Sequence, residues 1–275
     1  MPKSEKSRKL PWGLGNMVKS ICQNSGQREV PNIRQKESDM PHQPSQTAIV
    51  TGAGSGIGRS LANQLSQLGY HVVLVGRTEE TLEQTSQLLE GPFSIHVADI
   101  ADAAACRELV AKVSEKLGRI DVLANVAGFA PSLQIEQVTA ELWQQTIDTN
   151  LSSVVNLTAA CWPVFEKQKS GFVGNISSMA SIDPFPGFSI YAAAKAGVNL
   201  FTLVTGREGA PIGVRAMAVA PGAVETAMLR NLFDESMIPA EATLSPDDVA
   251  KVIVDCLENK RSFEPGQTLE LPSPA

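Results

Sequence analysis

Tyr191, Lys195 and Ser178 are the residues of this 275-residue chain whose types and spacing suit proton transfer. A free phenol titrates near 10, too high to trade protons easily at neutral pH. In Tyr191-Ala192-Ala193-Ala194-Lys195 the lysine follows four residues after the tyrosine, so on a helix both side chains share one face. An ammonium beside the phenol favours the phenolate and is expected to lower its pKa by about one to three units. The result is a general acid/base for a carbonyl or alcohol oxygen. Ser178, thirteen residues upstream of Tyr191, supplies a hydroxyl able to hold that same oxygen. The plainer reading of Ser177-Ser178 is the cap of a turn.

A second cluster lies where the regular part of the chain begins. Thr51-Gly52-Ala53-Gly54-Ser55-Gly56-Ile57-Gly58 follows an apolar run and opens a helical period. Glycines at such a strand-to-helix turn let backbone approach a pyrophosphate, which then rests on the helix amides. The second apolar run ends Val75-Gly76-Arg77. An acidic residue there would bind a ribose 2′-hydroxyl, whereas a guanidinium suits a 2′-phosphate. NADP is therefore the expected cofactor, with NAD as the alternative. The plain reading of Arg77 is a solvated charge offset by Glu79 and Glu80.

Both clusters need a scaffold, and its period is legible. Apolar runs at Ala48–Val50, Val72–Val75, Ile95–Ala98, Val122–Ala124, Phe172–Ile176 and Val214–Val219 predict buried strands, with a short last one at Thr268–Leu271. Between them, Gly58–Leu68, Glu79–Leu89, Ala103–Leu117, Ala140–Phe165, Tyr191–Thr205 and Pro246–Leu257 have helical spacing. Alternating strands and helices predict an α/β fold: a doubly wound parallel sheet of about seven strands, helices on both faces, in one domain over residues 47–275.

Composition narrows the partners. With 43% hydrophobic and 19% charged residues the chain is of ordinary globular type. No apolar run approaches the roughly 18 residues of a membrane span. The net charge of −6 divides into +4 over residues 1–46 and −10 over the rest, so no nucleic-acid partner is expected. Cys22, Cys106, Cys161 and Cys256 lack metal or redox spacing and read as reduced thiols, the last three in helices. With His42, His71 and His96 isolated, no metal site is expected. A reducing, cytoplasmic setting follows. Residues 1–46 read as a disordered or processed extension, an organelle-targeting peptide, or a weak membrane-surface helix around Leu14–Ile21.

Taken together, residues 47–272 resemble the short-chain dehydrogenase/reductase family. Thr51–Gly58 is similar to its cofactor turn, Asp99-Ile100 to its adenine-contacting pair, and Asn125-Val126-Ala127-Gly128 to the segment ending its fourth strand. Asn150 falls where the family has a helix asparagine, Ser178, Tyr191 and Lys195 match its catalytic side chains, and Pro221-Gly222 with Thr226 resembles the segment over the nicotinamide. The resemblance implies an NAD(P)-dependent oxidoreductase interconverting a carbonyl and a secondary alcohol. It implies that Thr51, Gly52, Ser55, Gly56, Ile57, Gly58, Arg77, Asp99, Ile100, Asn125, Ala127, Gly128, Pro221, Gly222 and Thr226 bind cofactor along with Tyr191 and Lys195. It further implies that Lys195 holds the nicotinamide ribose, that Asn150 links Lys195 to solvent through water, and that the protein is a homodimer or homotetramer built on its two long helices. The rival readings are a cofactor-binding regulator or scaffold with little turnover, and an epimerase or dehydratase on a related fold.

Three features depart from the family's pattern. Met217 occupies a position often held by asparagine, and Gly206-Arg207-Glu208-Gly209 reads as an unusual turn after the catalytic helix. The lid region Ala223–Leu244 is short and apolar, which suggests an open pocket for a bulky or carrier-attached substrate. Phe129, Phe185 and Phe188 are either pocket walls or core edges.

Overall fold

A computed structural model describes residues 46–274, and the expectations for the N-terminal extension, including Cys22 and His42, lie outside the described residues. The strands are β1 (Thr47–Thr51), β2 (His71–Gly76), β3 (Phe93–Val97), β4 (Val122–Asn125), β5 (Gly171–Ile176), β6 (Val214–Pro221) and β7 (Thr268–Leu271). All pair in parallel, in the order β3-β2-β1-β4-β5-β6-β7. The helices are α1 (Gly56–Gln67), α2 (Glu79–Ser86), α3 (Ala103–Leu117), α4 (Ala140–Ile147), α5 (Ser153–Gln168), α6 (Ser189–Gly209), α7 (Ala227–Arg230) and α8 (Pro246–Leu257).

The two-residue period of the strands divides the core. Ala48, Val50, Val72 and Leu74 face Leu61 and Leu65 of α1 and Val249 and Ile253 of α8. Ile49, Val73 and Val75 face Leu109 and Val113 of α3 and Leu157 and Phe165 of α5. A strand buried on both faces reads as an unbroken apolar run, which is why these segments stand out in the sequence. Met217 is fully buried in the first of these cores, so its difference from asparagine is one of packing.

Chain order reverses direction across the sheet between β1 and β4. A crevice therefore opens at the carboxyl ends of these two strands, where open α/β sheets take their ligands. Asp121 fixes the opposite end: its carboxylate accepts from Thr47 N at 2.8 Å and from Arg119 Nε at 2.8 Å, tying the starts of β1 and β4 together.

Two helices differ from expectation. The single helix predicted over Ala140–Phe165 is interrupted by a π-helical turn at Asp148–Ser152. Such a turn inserts one residue into the helical ladder and commonly marks a functional position; here it carries Asn150. Helix α6 is also longer than predicted, and Gly206-Arg207-Glu208-Gly209 is its last turn rather than a loop. A Cβ on Gly206 would overlap the backbone of Gly266, so the glycine is there because the segment leading into β7 crosses against α6.

Candidate active site

β1 hands over to α1 through the glycine turn. Gly52 adopts φ +64°, and a Cβ on it would stand 2.9 Å from Ala127 Cα, so the turn lies directly against the end of β4. A Cβ on Gly58 would overlap Gly52 O, which fixes how closely α1 approaches the turn. Ser55 precedes the helix without capping it through its side chain, and no acidic residue occupies the first turn. Unneutralised helix amides at this edge are suited to a phosphate.

The turn forms one wall of a cleft of about 700 Å³. Gly52, Ser55, Gly56, Ile57, Gly58, Arg77, Asp99, Ile100, Ala127 and Gly128 line its first half, and Ser178, Tyr191, Lys195, Pro221, Gly222 and Thr226 line the second. Arg77 is exposed at the end of β2, and no acceptor among the described residues engages its guanidinium. A cleft that brings helix amides and an exposed guanidinium together suits a phosphate-bearing nucleotide.

Three predicted contacts stand behind the wall instead. Thr51 Oγ1 accepts from Val126 N at 3.0 Å and Ala127 N at 3.2 Å, bracing the turn. Asn125 is buried and donates through Nδ2 to Asn175 Oδ1 at 2.8 Å. Asn150 is fully buried, accepting from Phe129 N at 3.1 Å and donating to Phe129 O at 2.7 Å and Thr146 O at 2.9 Å. Its link to Lys195 is a shared space: a Cβ on Gly128 would lie 3.2 Å from Asn150 Oδ1 and 3.7 Å from Lys195 Nζ. Asn175, which the sequence reading passed over, donates in turn to Thr202 Oγ1 at 2.8 Å. That buried ladder joins β4, β5 and α6, and an asparagine inside the apolar run Phe172–Ile176 was its visible signal.

Ser178 caps a turn, as its plainer reading has it, and also lines the cleft. Its Oγ accepts from Ala180 N at 3.1 Å, capping the short 3₁₀ turn Met179–Ser181, and it faces the cleft beside Tyr191. Lys195, at 2% exposure, donates through Nζ to Ile176 O at 2.8 Å and lies 5.8 Å from the centre of the Tyr191 ring.

The electrostatics correct one expectation. Burial pushes the Tyr191 phenol above its ordinary pKa, and only the hydrogen bond with Ser178 opposes this. Burial also brings Lys195 down to about 8. In the protein alone, desolvation of both groups outweighs the attraction of an ammonium for a phenolate.

The second half of the cleft is apolar. Phe188 stacks on Phe233 at 5.9 Å between ring centres, meets Phe185 at 4.7 Å and lies edge-on to Tyr191 at 6.2 Å. Met179, Met228, Leu229, Leu232, Met237 and Ile238 complete it. Phe185 and Phe188 are thus walls, while Phe129 contributes backbone to Asn150 and does not line the cleft. No group of acidic, histidine and cysteine side chains among the described residues is arranged to hold a metal. Likewise, no helix among them is long and apolar enough to cross a membrane.

Comparison with known proteins agrees with this geometry. The sequence profile of the short chain dehydrogenases matches residues 46–236. The 3-oxoacyl-(acyl-carrier-protein) reductase FabG of Thermotoga maritima is 34% identical over 230 residues, covering 80% of this chain and 94% of its own. An uncharacterized oxidoreductase of Staphylococcus epidermidis is 35% identical over 181 residues, 66% of this chain and 79% of its own. Among solved structures, levodione reductase superposes with a TM-score of 0.77 at 27% identity, covering 82% of this chain and 96% of its own. A putative short-chain alcohol dehydrogenase of Sinorhizobium meliloti gives 0.77 at 29% identity, covering 82% and 94%. With fold, cleft and relatives in agreement, the chain belongs to the short-chain dehydrogenase/reductase family and is an NAD(P)-dependent oxidoreductase.

Proposed function

We propose that this enzyme interconverts a carbonyl and a secondary alcohol with NADP as its preferred cofactor, Tyr191 exchanging the proton on the substrate oxygen. The observation that carries the reading is the convergence of Tyr191, Ser178 and Lys195 on one cleft, between the glycine turn and an apolar wall. When bound, the nicotinamide supplies the hydride chemistry. Everything else falls to the chain's own residues. Ser178 holds the substrate oxygen beside the phenol, a fixed dipole placed where charge develops. Tyr191, beside Ser178 in the cleft, donates the proton to the carbonyl oxygen in this reading. Lys195 would anchor a ribose hydroxyl and Asn150 a water, a role supported by the nearness of both side chains to the space at Gly128.

Arg77 carries the cofactor preference in this reading. Charge-assisted hydrogen bonds contribute about 1.5–3 kcal/mol, so Arg77→Ala is expected to weaken NADPH binding about tenfold or more. NADH, which has no 2′-phosphate, is expected to change less than about threefold. Fluorescence titration of the two cofactors measures both, and an equal loss for each would show that Arg77 does not read the phosphate.

We also propose a homodimer or homotetramer. Supporting it, Trp143 on α4 and Leu200 and Val204 on α6 are large apolar side chains left 41%, 67% and 49% exposed. Analytical ultracentrifugation is expected to give two or four copies, and Leu200→Lys to lower that number; a monomeric parent protein would contradict it.

A further inference from the structure

The two halves of the cleft differ in charge as well as shape. Every ionisable side chain with a formal charge that lines it, Arg77, Asp99 and Lys195, belongs to the cofactor half or the catalytic group. The wall facing Tyr191 from the substrate side is built from Phe185, Phe188, Phe233 and the aliphatic side chains around them. A carboxylate or phosphate placed against that wall would lose its hydration and meet no cation, which disfavours its binding. Rings and branched chains meet the opposite situation. Phe185, Met228 and Met237 stand at the opening with 48%, 41% and 62% of their surface exposed, apolar area that a nonpolar ligand would cover.

The segments that border this half reinforce the contrast. Residues 129–139, 179–188 and 223–244 contain six acidic residues, Glu136, Asp183, Glu225, Asp234, Glu235 and Glu241, and a single basic one, Arg230. That arginine is already occupied: its Nε donates to Glu225 Oε1 at 2.7 Å and its Nη1 to Ile238 O at 2.7 Å. Asp183 lies between the lining residues Ala180 and Phe185, and Glu235 between Phe233 and Met237, both exposed. An approaching anion therefore meets exposed negative charge next to the lining segments and no counter-charge on the apolar wall. Such fields change association rates by about ten to a thousandfold and weaken with salt.

From the apolar wall and the acidic opening we infer that the substrate is an uncharged carbonyl compound with an apolar ring or branched body, and that the site selects against anionic ones. This rests on the carbonyl–alcohol reading and names its substrate class. It keeps the bulky, apolar half of the sequence expectation and removes the half that allowed a substrate carried on a phosphate-bearing tether.

A matched pair of ketones tests the inference. Ethyl 4-oxocyclohexanecarboxylate and 4-oxocyclohexanecarboxylate share ring and carbonyl and differ by one negative charge at pH 7. With NADPH in excess, the ester is expected to be reduced with kcat/KM about tenfold or more above that of the carboxylate. Raising ionic strength, or the double variant Asp183→Lys, Glu235→Lys, is expected to narrow the gap by raising the value for the carboxylate while leaving the ester nearly unchanged. Equal or better reduction of the carboxylate overturns the inference. So does failure to reduce either ketone while NADPH still stabilises the protein, an outcome that leaves the cofactor assignment standing. Failure of both NADPH and NADH to bind would instead sink the oxidoreductase reading on which the inference rests. A gap that neither salt nor the two lysines alter would overturn the part assigned to the acidic opening.

Discussion

Tyr191→Phe is expected to lower kcat/KM for ketone reduction by about a thousandfold, within the range that a positioned acid/base supplies. The substitution removes one oxygen and leaves the ring, which packs edge-on against Phe188. Cofactor affinity is accordingly expected to hold within about threefold, because the glycine turn and Arg77 are untouched. Steady-state kinetics with a parallel NADPH titration separates the two effects. Equal losses in binding and turnover would make Tyr191 a wall residue and return the scaffold reading.

Lys195→Met is expected to abolish useful turnover and yet stabilise the cofactor-free protein. Lys195 is almost completely buried, and among the described residues its only hydrogen bond is to Ile176 O. A shift from 10.5 to about 8 corresponds to a penalty of about 3 kcal/mol for keeping the ammonium inside. Losing the bond to Ile176 O offsets part of this, so a net gain of about 2 kcal/mol is expected at pH 7. The sign follows from proton counting. Between about 8 and 10.5 the unfolded chain holds the lysine proton and the folded one does not, so wild-type stability from this group rises with pH across that window. The advantage of Lys195→Met should therefore be complete below about 8 and vanish towards 10.5. Tyr191, displaced upward, acts in the opposite sense only above its ordinary value of 10.0. Chemical denaturation at pH 7 and pH 10 measures the effect. A destabilised variant at pH 7 would mean that the buried lysine is a structural asset, held by more than the Ile176 carbonyl. Sites that carry such a cost commonly trade stability for function.

The scaffold was legible because its physics is local. Strands buried on both faces are continuous apolar runs, and Ala103–Leu117 and Pro246–Leu257 carry clear caps: the Asp102 carboxylate accepts from Ala104 N, and Ser245 with Asp248 forms a capping box. The π turn at Asp148–Ser152 was not legible, because an inserted residue leaves hydrophobic spacing almost unchanged. Nor was the end of α6, where two glycines suggested a turn and the true constraint was the segment leading into β7, some 60 residues away in sequence. In the site, the spacing of Tyr191 and Lys195 gave their common face but not the balance of charge and burial around them. That balance depends on burial and on neighbours such as Ile176 of β5 and Ser178, which no local pattern contains. The lid itself was visible as apolar composition, whereas the clamp of Arg230 by Glu225 and Ile238 O is a property of the folded chain alone.

In the proposed reaction this cleft moves hydride between NADPH and a carbonyl carbon while Tyr191 moves the proton. Transfer of deuterium from 4,4-dideuterated NADPH to a neutral cyclic ketone, read by mass spectrometry of the alcohol, is the decisive measurement. The expected result is one deuterium on the carbinol carbon with the wild-type protein, and about a thousandfold slower labelling with Tyr191→Phe. Unlabelled alcohol, or no alcohol from a protein that demonstrably binds NADPH and a broad set of uncharged ketones, would contradict the hydride assignment. Equal labelling by the two proteins would contradict the role of Tyr191.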